Sequence, residues 1–213
     1  SATAAACGDD DDEAATDGGD AAPSSEPITL GYSAWPGWFP WAVTEEQGFF
    51  EEVGVEVELK WFDDYLASLT ALSAGQLDAN SQTLNDTLVG VSAGDDQVVV
   101  LVNDNSAGND ALMVGPATKS FKDLKGKTVA LEQFSVSHFV LVTALAKHGM
   151  TQSDVKVVNL SAGDAAAAFL SGRVDAAVVW NPWVNQIQAS GKGKALFTSK
   201  DMPGLIPDLL VAQ

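Results

Sequence analysis

A short phrase is written twice in this chain, once from Ala74 and once from Ser171, and it constrains the fold more than any other feature. The copies are Ala74-Gly75-Gln76-Leu77-Asp78-Ala79 and Ser171-Gly172-Arg173-Val174-Asp175-Ala176. In each, a Gly closes an apolar helical stretch: Tyr65, Leu66, Leu69 and Leu72 precede the first, Ala165 to Leu170 the second. Gly there suits the left-handed residue that ends a helix. The residues that follow, Asn80-Ser81-Gln82 and Ala177-Val178-Val179-Trp180, read as short strands. Each copy is therefore a helix-to-strand unit of an α/β sheet. Two copies at domain-scale spacing predict two similar lobes with a cleft between them.

Periodicity along the chain agrees. Strands are expected at 28–32, 55–62, 77–80, 97–102 and 111–114, with helices at 41–52, at 64–74 and from Thr83 onward. This alternation predicts a mostly parallel sheet covered by helices. The pattern restarts with a helical turn at 121–125 and strands at 128–131, 155–159, 175–180 and 194–198. Helices at 135–148, 163–170 and 181–189 lie between them. Leu209-Leu210-Val211 begins a further strand.

The 213 residues carry a net charge of -18, unevenly spread. Residues 1–26 hold eight acidic and no basic side chains, residues 27–118 fourteen acids against Lys60 alone, and residues 119–213 seven acids against ten bases. With no basic cluster to meet phosphates, nucleic acid is excluded as a partner. An anionic membrane surface is disfavoured for the same reason. Cys7 is the single cysteine, so an intrachain disulfide and a CxxC metal site are both ruled out. Small residues lead up to it in Ser1-Ala2-Thr3-Ala4-Ala5-Ala6-Cys7-Gly8, as in a bacterial lipobox, where the Cys becomes the lipidated N-terminus. Gly8 to Glu26 is Asp, Gly, Ala and Ser without an aromatic residue, a composition suited to a disordered acidic tether.

In parallel α/β sheets, ligands bind beyond the carboxyl ends of the strands, where helix N-termini offer free N–H groups. That rule selects Ser33, Trp35 and Trp38 after the first strand and Trp61 and Asp63 after the second. Ser81 and Gln82 follow the third, and Asn105 the fourth. In the second half it selects Glu132, Ser135 and His138, then Trp180 and Asn181. Ser81, Ser135 and Asn181 could equally cap helices. Trp41 and Trp183 fall where a helix turns them into the core, whereas Trp35 and Trp38 lie in a Pro/Gly loop and favour the ligand. These loops hold no Arg or Lys. Trp faces beside carboxylates suit a small neutral or cationic nitrogen compound, such as a urea, guanidinium, amine or pyrimidine.

Two further segments are specific enough to name a family: Gly31-Tyr32-Ser33-Ala34-Trp35-Pro36-Gly37-Trp38, and Glu46-Gln47-Gly48-Phe49-Phe50-Glu51-Glu52-Val53-Gly54-Val55. With the first repeat and Phe121-Lys122-Asp123-Leu124-Lys125-Gly126-Lys127-Thr128-Val129, residues 27–213 resemble the nitrate/sulfonate/taurine-type substrate-binding proteins of bacterial ABC importers. Binders of thiamine-pyrimidine precursors belong to the same group. The resemblance implies a type II periplasmic-binding-protein fold: an α/β chain of two lobes, each a mostly parallel sheet flanked by helices, with a small solute captured between them. It divides the chain into 1–26 (signal-peptide remnant, lipidation site and tether), 27–118 (lobe one), 119–208 (lobe two) and 209–213 (start of a return strand). Relatives run on past this point, so the first lobe is expected to be incomplete at its C-terminal end.

The resemblance further implies an extracytoplasmic monomer without cofactor or metal. Its partners would be the solute, which could also be of sulfonate type, and an ABC transporter permease. It would touch the membrane only through a lipid on Cys7. A receptor's sensing domain and an enzyme of thiamine-pyrimidine synthesis are the alternatives. The Cys-rich motif of that enzyme is absent, as are G-x-S-x-G, HExxH and P-loop motifs.

Overall fold

A computed structural model describes residues 26–213. Cys7 and nearly all of the acidic tether lie outside the described residues. The order of elements is β1 (Ile28–Ser33), α1 (Pro40–Glu46), α2 (Phe49–Glu52), β2 (Val57–Phe62), α3 (Tyr65–Ser73), β3 (Ala79–Thr83), α4 (Leu84–Ala93), β4 (Val98–Asn105) and β5 (Asp110–Val114). There follow β6 (Thr128–Leu131), α5 (Val136–Lys147), β7 (Lys156–Asn159), α6 (Ala162–Leu170), β8 (Ala176–Trp180), α7 (Trp183–Ala189), β9 (Lys194–Thr198) and β10 (Pro207–Ala212). The expected single helix over 41–52 is broken in two. Gly48 sits between α1 and α2 at φ 72°, a left-handed conformation that interrupts the helical hydrogen bonds.

Two five-stranded sheets form, in the orders β2-β1-β3-β10-β4 and β7-β6-β8-β5-β9. The two repeat-bearing strands, β3 and β8, lie in different sheets. In each sheet one strand runs against its neighbours: β10 against β3 and β4, and β5 against β8 and β9. The two lobes thus exchange one strand each.

This moves the expected boundary. The pattern assigns Asp110 to Val114 to the first lobe, but the segment belongs to the second sheet, so the chain crosses between lobes at residues 106–109 rather than at 118. The physical reason is burial. Ala111, Leu112, Met113 and Val114 are all fully buried and have no polar face, which requires a central position covered on both sides. The chain returns at residues 199–206. The two crossovers are tied together: the Ser106 and Ser199 hydroxyls pair at 2.8 Å, Gly108 N–H donates to Ser199 Oγ at 2.6 Å, and Ser106 N–H donates to the Ile206 carbonyl at 2.9 Å.

The repeated phrase has one structural meaning in both lobes. Gly75 and Gly172 end their helices at φ 67° and 74°. Asp78 then accepts from the backbone N–H and hydroxyl of Thr29 at 2.8 and 2.6 Å, and Asp175 accepts from the same two groups of Thr128 at 2.8 and 2.7 Å. Asp78 fastens the start of β1 to the turn before β3, and Asp175 fastens the start of β6 to the turn before β8.

The larger apolar core lies in the second lobe and takes in Trp35, Trp38 and Tyr65 from the first. A smaller core, built on Leu72, Leu77, Leu209 and Val211, lies in the first. The β4 side chains from Val98 to Val102 are exposed.

Candidate functional site

The carboxyl edges of the parallel strands of both sheets face one another, and aromatic side chains bridge them. Trp35 and Trp38, in the loop after β1, stand with ring centroids 6.3 Å apart. Trp38 lies 5.6 Å from Tyr65 at the start of α3, and Tyr65 meets Trp180 at the end of β8 edge-on at 5.8 Å. This row crosses from one lobe to the other. Together with Thr83, Val136, Asp110 and Asp208 it encloses a cavity of about 10 Å³, roughly the room one water needs. The lobes meet along this row and leave no larger space within it.

The lining is acidic and contains no Lys, Arg or His. Asp208, the second residue of β10, lies in register with Thr83 on β3 and Asp104 on β4. It is 1% exposed, and its Oδ2 has no hydrogen-bond partner. Burial, then the charge of Asp104, pushes Asp208 up to about 10. Asp110 opens β5 beside Trp180 and accepts from the Ser106 hydroxyl. Burial raises it to about 7 despite that bond, and Asp86 and Asp104 add to the rise. Asp86, in the first turn of α4, accepts from Tyr65 Oη at 2.8 Å and Thr83 Oγ1 at 2.9 Å. Burial still pushes it up to about 6, against those two bonds and one from the Val136 backbone N–H of the other lobe. Burial, followed by the Asp86 charge, also raises the Tyr65 phenol.

Asp104 faces the same edge and accepts from Trp35 Nε1 at 3.1 Å. A Cβ on Gly37 would fall on Asp104 Oδ2 and stand 2.7 Å from Trp35 Nε1, so only Gly lets the loop lie this close.

The sequence-predicted residues divide. Ser33, Trp35, Trp38, Glu132 and Trp180 are all buried at the facing strand ends. Trp35 and Trp38 are more enclosed than a loop suggested, because each packs into the core between the lobes. Ser33 Oγ, Trp38 Nε1 and Glu132 Oε2 have no hydrogen-bond partner. Glu132 Oε1 accepts from Ala162 N–H at 3.2 Å; burial, chiefly, raises the carboxyl to about 8. Ser135 caps α5, accepting from Ser137 N–H at 3.2 Å.

The others are occupied elsewhere. Trp61 is exposed and donates to Asp63 Oδ1 at 2.8 Å, away from the aromatic row. Ser81 accepts from Trp41 Nε1 at 2.9 Å. Gln82 is buried beneath α4, donating to Thr87 Oγ1 at 2.9 Å and Gln97 Oε1 at 3.1 Å. Alternation along β3 turns these two to opposite faces of the sheet instead of toward its edge. Asn105 is exposed opposite Pro207. His138 accepts from Phe134 N–H at Nδ1, 3.2 Å, and its Nε2 lies 2.7 Å from Gln152 Oε1, so it braces the start of α5 from outside the cleft. Asn181 is tied to Asn109 at 2.7 Å and accepts from Asn185 N–H at 3.1 Å.

Strand-end reasoning missed Tyr65, Asp110 and Asp208. The last two carry a visible signal: an Asp at the head of an apolar run, in Asp110-Ala111-Leu112-Met113-Val114 and Asp208-Leu209-Leu210-Val211. Among the described residues no His, Cys, Asp and Glu group is arranged to hold a metal ion, and no helix is long and apolar enough to cross a membrane.

Comparison with known proteins places this geometry. The chain is 30% identical over 144 residues to the taurine-binding periplasmic protein of Escherichia coli, covering 68% of this chain and 45% of that one. It spans about half the length of the curated relatives it matches. Its fold matches the alkanesulfonate-binding protein of Xanthomonas axonopodis pv. citri at a TM-score of 0.77, with 25% identity over 89% of this chain and 67% of that one. The periplasmic aliphatic sulphonate binding protein of Escherichia coli matches at a TM-score of 0.76, with 26% identity over 89% and 65%. The NMT1-like family matches residues 21–211. With its paired sheets and exchanged strands resting on that match, the chain belongs to the NMT1-like family.

Proposed function

We propose that this protein is the extracytoplasmic solute-binding component of an ABC importer, tethered by a lipid on Cys7, and that it carries a small nitrogen-containing solute between its lobes to a permease. One observation carries the reading of the solute. The cleft presents four aromatic faces and two buried carboxyl groups, Asp110 and Asp208, with no cationic side chain among its lining residues. Such a lining offers acceptors and π-faces to a molecule rich in N–H groups. The named relatives bind taurine and sulfonates, and an anion of that kind would need donors that this lining supplies sparsely.

Opening at the crossovers 106–109 and 199–206 admits the solute, and closure buries it between Trp38, Tyr65 and Trp180. Calorimetric titration of the lipid-free protein with urea, methylguanidinium, methylamine and taurine tests the reading. Micromolar binding of a nitrogenous solute that the Trp35→Ala/Trp38→Ala double variant weakens at least tenfold supports it. Tight binding that ignores the double variant would place the site elsewhere. For the anchor, mass spectrometry of protein from its native membrane should find a diacylglycerol-modified Cys7 at the N-terminus.

A further inference from the structure

Asp208 is a carboxyl group buried without a full set of partners at the one place where both lobes meet. Its Oδ2 is unpaired and it lines the aromatic cavity. Asp104 is its in-register neighbour on β4, and the charge of that carboxyl acts on Asp208. Asp208 is buried and faces the charge of that second carboxyl, so its own ionised form is disfavoured and it keeps its proton. Asp110 faces the same space from β5 and Tyr65 from α3, with Asp86 behind it accepting from the Tyr65 hydroxyl. Glu132, at the end of β6, adds another buried carboxyl on the second lobe. No basic side chain lines the cavity to compensate these charges. The unpartnered buried atoms here are Asp208 Oδ2, Glu132 Oε2, Trp38 Nε1 and Ser33 Oγ; an ionised carboxylate oxygen only accepts, the indole only donates and the hydroxyl does either.

From this arrangement we infer that the solute is a small organic cation bearing N–H donors, seated on the aromatic row and paired with Asp208 and Asp110, and that its entry drives a proton from Asp208 into solvent. The inference rests on the proposed solute-binding role and narrows it. Before binding, Asp208 is neutral and holds its proton. On binding, the cation supplies N–H bonds to the vacated oxygen and the proton leaves to bulk water, so total charge is conserved. A quaternary ammonium has no N–H to give and leaves the buried oxygen unpaired, which costs as much as a lost hydrogen bond. The site therefore discriminates on donors as well as charge. The upward shifts of Asp208, to about 10, and Asp110, to about 7, agree with a cluster that stays protonated until a cation arrives.

The test is calorimetric titration with methylguanidinium, methylammonium, tetramethylammonium, urea and methanesulfonate, in two buffers of different ionisation enthalpy. The expected result is binding of methylguanidinium or methylammonium at least tenfold tighter than of the other three. It should come with release of a proton near pH 7, and with affinity that rises with pH, by up to about tenfold per unit for one proton released. Asp208→Asn should lose at least tenfold in cation affinity and abolish the buffer dependence while keeping the circular-dichroism spectrum of the native protein. Should that variant fail to fold, Asp110→Asn carries the same expectation for affinity. Binding of urea or methanesulfonate as tight as that of the cations would overturn the inference while leaving the solute-binding role intact. Cation binding with no proton released would overturn the exchange step. If none of the five binds, the inference falls, and the role itself is then judged by native mass spectrometry of the protein from its own host: a small molecule co-purifying with it keeps the role standing, and none removes both.

Discussion

Asp208 lies directly across the sheet from Asp104, a buried carboxyl group against a half-buried one at the edge where the lobes meet. Such a pair is a cost to the solute-free fold, since keeping a carboxyl protonated far above its ordinary pKa consumes about 1.4 kcal/mol per pKa unit at a pH that would otherwise ionise it. Asp208→Asn removes that cost and retains the shape. The solute-free variant should therefore melt higher than the parent at pH 8, by on the order of 1–4 kcal/mol in unfolding free energy. A lower melting temperature in calorimetric scans would mean that Asp208 stabilises the closed lobes.

The pH dependence of stability follows with an unusual sign. Asp86, Asp110, Glu132 and Asp208 are raised in the folded state to about 6, 7, 8 and 10 from ordinary values of 3.8 for Asp and 4.5 for Glu. The folded protein binds more protons than the unfolded chain, so these groups contribute fully below their ordinary values and lose that contribution as pH rises through the folded ones. Asp78, Asp123, Asp154 and Asp175 are lowered, chiefly by hydrogen bonds, and contribute above 3.8 until acid protonates them. Thermal unfolding of the solute-free protein should show greatest stability near pH 4–5 and a steady decline toward pH 9. A maximum at pH 7–8 would contradict the buried carboxyl cluster.

Gly37→Ala tests the seating of the tryptophan loop. The added Cβ strikes Asp104 Oδ2 and crowds Trp35 Nε1, so the loop must lift. The expected result is a red-shifted tryptophan emission and a loss of about 1–3 kcal/mol in stability, as for other overpacked sites. An unchanged emission spectrum would mean that the loop absorbs the methyl without moving Trp35.

Asp78→Ala and Asp175→Ala should behave alike, because each deletes a carboxylate holding two donors of one threonine. Both are exposed, which limits the loss to about 1–2 kcal/mol by urea unfolding. Thr29→Val and Thr128→Val should reproduce part of it. A large effect in one lobe and none in the other would deny the equivalence of the repeats.

The repeated phrase was legible because its Gly and Asp do local work: a left-handed helix end and a clamp on a nearby strand. Strand-end logic likewise found Trp35, Trp38, Trp180 and Glu132, which come from strands ending at the shared edge. It could not find Asp110 and Asp208, since β5 and β10 run the other way and bring their first residues, rather than their last, to that edge. Tyr65 was hidden for another reason. In sequence it belongs to the apolar stripe of α3, and only the approach of Trp180 from the other lobe makes it part of a site. Ser81 and Gln82 lie inside the sheet, since β3 runs on to Thr83.

The exchange of strands also sets the order in which a nascent chain becomes whole. β10 joins β3 to β4, so the first sheet stays in two pieces, β2-β1-β3 and β4 alone, until residue 212 has been made. The second sheet needs nothing beyond Thr198. Pairings that link distant parts of a chain form slowly, and the ladder joining Asp208 to Thr83 is such a pairing. The sheet begun first is therefore the sheet joined last.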